Sequence, residues 1–145
     1  MKIDAYSYKA FRECIWGDRL IKLINLMLRS AECGLDNYSE TEPDVVLLEP
    51  KADFYASGHP QSQDVFLIVE VADSTIKFDG EIKVALYGEN NVVEVWLVDI
   101  NEQCLEVYRQ PIGSIYQEVQ KLKRREFLSV QRFSDINIQV DEILG

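Results

Sequence analysis

The chain has 145 residues, 47% of them hydrophobic, which bounds it to about one domain with enough apolar side chains for a buried core. Twenty-five acids against 15 bases leave a formal net charge of -10. That balance argues against a broad basic footprint for nucleic acid, whose non-specific affinity comes mainly from Lys and Arg on phosphates. No run approaches the roughly 20 apolar residues needed to span a bilayer, and Met1-Lys2-Ile3-Asp4 does not open onto a secretory apolar core. A cytoplasmic protein with no membrane partner is expected.

From Gly17 to Cys33, Leu20, Ile21, Leu23, Ile24, Met27, Leu28 and Ala31 recur at three- and four-residue spacing, which predicts an amphipathic helix ended by Gly34. Residues 35–43 are polar and turn-rich, and Val45 to Leu48 then reads as a short buried strand with Asp44 at its entrance. Glu49 to Gln63 is a Pro-, Gly- and Ser-containing surface loop that carries the single histidine, His59. With Cys14, Cys33 and Cys104 widely spaced and no CxxC pair, neither a disulfide framework nor a zinc site is indicated, and reduced thiols are expected.

Asp64 to Val71 is the strongest strand, almost continuously apolar, as expected where a sheet is covered on both faces. Glu70 breaks the run. An acid there has to be solvated, paired or bound to a metal, because burying an unpaired charge is costly, and pattern alone weighs an ion pair and a metal ligand equally.

Asp79 to Gly88 has helical spacing, with Ile82, Ala85 and Leu86 as the expected buried stripe and Gly88 as the expected C-cap. Asp79, Lys83 and Tyr87 fall at i, i+4 and i+8 and share one face, from which Lys83 can lean back over the helix N-terminus towards the end of the Glu70 strand. Asp79 and Lys83 also read as an ordinary surface ion pair.

Val92 to Asp99 is expected to be a buried strand, Asn101-Glu102 a hairpin turn, and Gln103 to Arg109 the returning strand. Ser114 to Leu122 fits an edge strand, and Ile136 to Leu144 fits either a short strand or a helical turn. Lys121, Lys123, Arg124 and Arg125 form a local basic cluster that reads as a solvated turn or a nucleic-acid contact. There is no GxSxG elbow, P-loop or GxGxxG.

Two acid-bearing apolar strands joined to a lysine-bearing helix match what phosphodiester hydrolysis requires: carboxylates for a hard divalent cation and a positive charge beside the developing transition state. The segments PDVVLLEP, ADFYASGHPQSQDVFLIVEVADST, DGEIKVALYGENNVVEVWLVD and LEVYRQP, in this order, resemble the Uma family of putative restriction endonucleases, which are numerous in cyanobacteria. The resemblance covers roughly residues 38–145. It implies a PD-(D/E)xK nuclease fold, an α/β (α+β) restriction endonuclease-like mixed β-sheet flanked by helices.

On this resemblance Asp44 matches the acid of the PD motif and Glu70 the second metal-binding acid. The common pattern puts lysine two residues after the glutamate, where this chain has Ala72, whereas the Uma arrangement moves it to the next helix, at Lys83. The implied roles are Asp44 and Glu70 as ligands of Mg2+ or Mn2+, with the backbone carbonyl of Val71 as a further ligand. Lys83 is the implied transition-state or water-positioning cation, and Asp79 and Tyr87 orient the lysine or contact substrate. The expected substrate is DNA. The expected organisation is one domain over 1–145, with a shortened N-terminal helical region at 1–37 and a nuclease-like core at 38–145. The short front region and the acidic balance also support an alternative, a catalytically degenerate interaction module that binds a protein partner or forms a homodimer.

Overall fold

The computed structural model describes residues 33–34, 40–41, 43, 45–49, 51–53, 56–58, 60–72 and 77–145. Residues 17–32 of the helix expected over Gly17 to Cys33, together with Asp44 and His59, lie outside the described residues.

Five strands form a mixed sheet in the order β3-β4-β5-β6-β7. They are β3 (Val45–Leu48), β4 (Val65–Ala72), β5 (Glu94–Asp99), β6 (Cys104–Ile112) and β7 (Ile115–Lys123). The small strands β1 (Cys33–Gly34) and β2 (Glu40–Thr41) pair with one another ahead of the sheet. Cys33 and Gly34 are therefore extended, so Cys33 is not part of the expected helix. A glycine beside a cysteine is equally compatible with an extended pair, and the expected helix boundary is corrected accordingly.

Among the described residues, the one parallel ladder of the sheet joins β4 to β5. It needs a crossover, and helix α1 (Lys77–Glu89) supplies it. α1 covers one face of β4 and the C-terminal segment the other, which accounts for its near-continuous apolar sequence. One face packs Val45, Leu47, Leu67, Val69, Trp96 and Val107 against the C-terminal segment. That segment comprises β8 (Phe127–Leu128), β9 (Ile138–Gln139) and the short helix α2 (Val140–Leu144). Residues 136–144 thus contain both a strand and a helical turn. The other face packs Val46, Ile68, Val92 and Val95 against Val84 and Tyr87 of α1.

The buried side of α1 differs from the expected stripe. Gly80, Val84, Tyr87 and Gly88 are buried, whereas Ile82 is 53% exposed and Ala85 and Leu86 are intermediate. The reason is close approach. A Cβ on Gly88 would stand 3.0 Å from the Gly113 carbonyl oxygen and 3.2 Å from the Tyr116 ring, and one on Gly80 would stand 2.9 Å from Leu97 Cδ1. Gly88 is a contact residue inside the helix, not its cap, and the turn that follows uses Asn91 at φ 59°.

The C-terminal segment is fastened by a buried charge cluster. Glu94, fully buried, lies opposite Arg109 across the β5–β6 ladder and accepts from Arg109 Nη2 at 2.8 Å, Trp96 Nε1 at 2.8 Å and the Gln131 amide at 2.7 Å. Arg109 also donates to the Ser129 carbonyl at 2.6 Å. Two adjacent strands and the chain after β8 thereby share one polar centre, whose desolvated charges are each hydrogen-bonded.

The basic cluster lies at the end of β7 and in the turn to β8. Lys121 pairs with Glu102, and Arg124 donates to Gln103, Asp141 and the Gly145 carbonyl. The Arg125 amide, donating to Asp141, holds that carboxyl below its ordinary pKa. No helix among the described residues is long and apolar enough to cross a membrane.

Candidate active site

Glu70 lies near the C-terminal end of β4, opposite Leu97 in the parallel ladder, with its side chain only 4% exposed. Alternation along the strand puts it on the same face as Ile68, under α1. A carboxylate in that place needs donors, and α1 provides two. The Tyr87 hydroxyl donates to Glu70 Oε1 at 2.5 Å, and Lys83 Nζ lies 3.4 Å from Oε2. Lys83 and Tyr87 are four residues apart on the helix, so one turn presents both to the strand.

The two donors differ in access. Tyr87 is fully buried among Val46, Ile68, Val84 and Val95, so its ring is part of the core and its hydroxyl is the polar end that reaches the acid. The Lys83 side chain is 35% exposed, with its stem over the protein and its ammonium at the boundary between Glu70 and solvent. The arrangement is a buried carboxylate with an apolar wall behind it and a cation at its open side.

Other buried acids among the described residues have different surroundings. Asp64 pairs with Lys51 at 3.0 Å and accepts from the Gln61 amide at 2.8 Å, closing the loop before β4. Glu94 belongs to the charge cluster described above. Asp99 accepts from the Glu102 amide at 2.9 Å in the β5–β6 turn. Asp99, Glu102 and Cys104 bring ligand atoms within 4.8 Å of one another. There, burial raises the Cys104 thiol pKa and Glu102 is paired with Lys121, so this group is a poorer match than a carboxylate pair for a hard cation.

The remaining expected site residues are distributed as follows. Val71 is half-buried in β4 and pairs with Val98. Ala72, at the position where the common nuclease pattern has lysine, is buried, and its carbonyl accepts from the Ile100 amide at 3.1 Å. Asp79 falls in the first turn of α1, and its side chain is outside the described set. Asp44 is likewise outside, although its sequence neighbour Val45 pairs with Val69, the neighbour of Glu70. Sequence reasoning overlooked the contact between Tyr87 and Glu70. The available signal was Tyr87 at the same helical phase as Lys83, four residues on.

The family model described as "Putative restriction endonuclease", Uma2, matches residues 18–141. The chain belongs to the Uma2 family. Its fold is similar to a crystal structure described as a putative nuclease belonging to DUF820 from Anabaena variabilis ATCC 29413. The identity is 14% and the TM-score 0.51, over 95% of this chain and 80% of the other. No curated protein matches the sequence. The five-stranded mixed sheet with α1 as its crossover is the nuclease-like α+β fold expected for an Uma2 member. Family and fold together place the chain among nuclease-like proteins.

Proposed function

We propose that this Uma2 member is a DNA endonuclease dependent on Mg2+ or Mn2+, with Glu70 and Lys83 at the centre of its site and Asp44 as the second carboxylate. The observation that carries the reading is the Glu70 carboxylate, buried at the end of a central strand, held on one oxygen by Tyr87 and met on the other by the partly exposed Lys83. An ammonium left partly in water keeps its hydration while its stem packs on the protein, and it stays open to a second anion. A cation that must also meet an incoming phosphate needs that access.

The donor chemistry fits the ion. Carboxylate oxygens from Glu70 and Asp44, with the backbone carbonyl of Val71, would supply the hard oxygen set that Mg2+ and Mn2+ prefer. A bound divalent cation supplies Lewis-acid charge stabilisation and makes a coordinated water more acidic. The chain's own residues do the rest. Glu70 concentrates negative charge at one point, Lys83 places a positive charge where the phosphate becomes more negative, and Asp79 is assigned to orient Lys83 or contact the substrate. The net charge of -10 is compatible with an anionic substrate because acids in such a site are offset by the ion.

The test is to incubate the purified protein with supercoiled, linear and single-stranded DNA in Mg2+ and in Mn2+, alongside a chelator control and the Asp44→Asn variant. Cleavage that disappears in both controls is the expected result. A folded protein that cleaves none of the three substrates would contradict the proposal.

A further inference from the structure

We infer that Tyr87 is a positioning residue for Glu70: it fixes the carboxylate through Oε1 and leaves Oε2 as the oxygen that faces Lys83 and the cation. The inference rests on the proposed metal-dependent site and adds a division of labour between the two carboxylate oxygens.

A glutamate side chain has three rotatable bonds, so a strand residue alone does not fix where its oxygens point. Here the Tyr87 hydroxyl, on a ring locked in the core with Val84 and Ile68, donates to Oε1. The ring cannot follow a moving carboxylate because the helix that carries it is held in place. Gly80 lies against Leu97, and at Gly88 the close approach to the Gly113 backbone and Tyr116 leaves little room for α1 to shift towards the sheet. Leu97 is the β5 partner of Glu70, so the same contact that seats the helix seats it over the strand position beside the acid. Full burial removes Tyr87 from direct contact with DNA. Hydrogen bonds to a ligand's remaining atoms commonly change metal affinity by about 10- to 100-fold.

The experiment measures Mn2+ binding by calorimetry to the full chain, to Tyr87→Phe and to Glu70→Gln, with circular dichroism at the same temperature to establish folding. Phenylalanine keeps the ring and removes only the hydroxyl. The expected result is Mn2+ binding about 10- to 100-fold weaker in Tyr87→Phe than in the wild type, at a temperature where both are folded. Should Tyr87→Phe not fold, replacing Tyr87 with p-aminophenylalanine retains a donor on the ring, and near-wild-type Mn2+ affinity is then expected. Wild-type affinity in a folded Tyr87→Phe protein would overturn the positioning role while leaving the metal site standing. Loss of affinity in the p-aminophenylalanine protein would do the same. Wild-type protein that binds Mn2+ no better than Glu70→Gln would overturn both this role and the metal-dependent reading.

Discussion

Glu70 and Tyr87 are 17 residues apart in sequence and joined by a 2.5 Å hydrogen bond in the core, from the hydroxyl of a helix residue to the carboxylate of a strand residue. The crossover that produces the parallel β4–β5 pair is what brings them together, because it lays α1 back across the strand that precedes it. Lys83, one helical turn before Tyr87, meets the other oxygen of the same carboxylate.

Lys83 is expected to matter for catalysis as well as for holding the buried Glu70 carboxylate. Its side chain is 35% exposed but Glu70 is only 4% exposed, so removing the ammonium leaves a buried carboxylate with one fewer partner and costs stability as well. Replacing a charge that stabilises a transition state commonly costs about 100- to 1,000-fold in rate. Lys83→Met should therefore lower single-turnover DNA cleavage by roughly that factor, measured below the melting temperature of the variant. A large loss of stability with intact cleavage would assign the lysine a structural role.

Glu94 should be among the residues most costly to truncate. Glu94→Ala leaves the Arg109 guanidinium, the Trp96 indole N–H and the Gln131 amide without the acceptor they share. Breaking one side of a buried pair typically costs about 3–5 kcal/mol. Urea unfolding should show a loss in that range, and the double variant Glu94→Leu with Arg109→Met should recover much of it. A loss below about 1 kcal/mol would mean that the cluster does not bind the C-terminal segment to the sheet.

Gly88→Ala and Gly80→Ala should separate by sign or size. At Gly88 the new methyl meets a backbone carbonyl at 3.0 Å, which cannot swing aside, and a loss of about 1–3 kcal/mol is expected. At Gly80 the nearest atom is the tip of a leucine side chain, which can move, and the gain in helix propensity of about 1 kcal/mol offsets the crowding. Thermal melts of the two variants would check the difference. Equal effects would contradict the account of how α1 is seated.

Much of the architecture was legible in the chain. The runs at Val45–Leu48, Val65–Ala72 and Glu94–Asp99 are apolar because both sheet faces are buried, and the edge strand β7 was visible in its imperfect alternation. The docking side of α1 was not legible, because a hydropathy pattern counts Ile82 as core and cannot count glycine as a packing surface. The same limit applies to the site. Glu70 and Lys83 stood out by type, order and resemblance, but the Tyr87 contact depends on helix rotation, which the glycines determine. The fastening of the C-terminal segment to Glu94 was also hidden, since Gln131 contributes its backbone amide and no side-chain signal.

The most direct measurement is nicking of supercoiled DNA in Mg2+ and Mn2+ by wild-type protein and by Glu70→Gln, prepared together and shown by circular dichroism to be folded. The account predicts cleavage by the wild type that a chelator stops and that Glu70→Gln lacks. Undiminished cleavage by the variant would remove Glu70 from the mechanism, and a folded wild type without any cleavage would favour the non-catalytic interaction module.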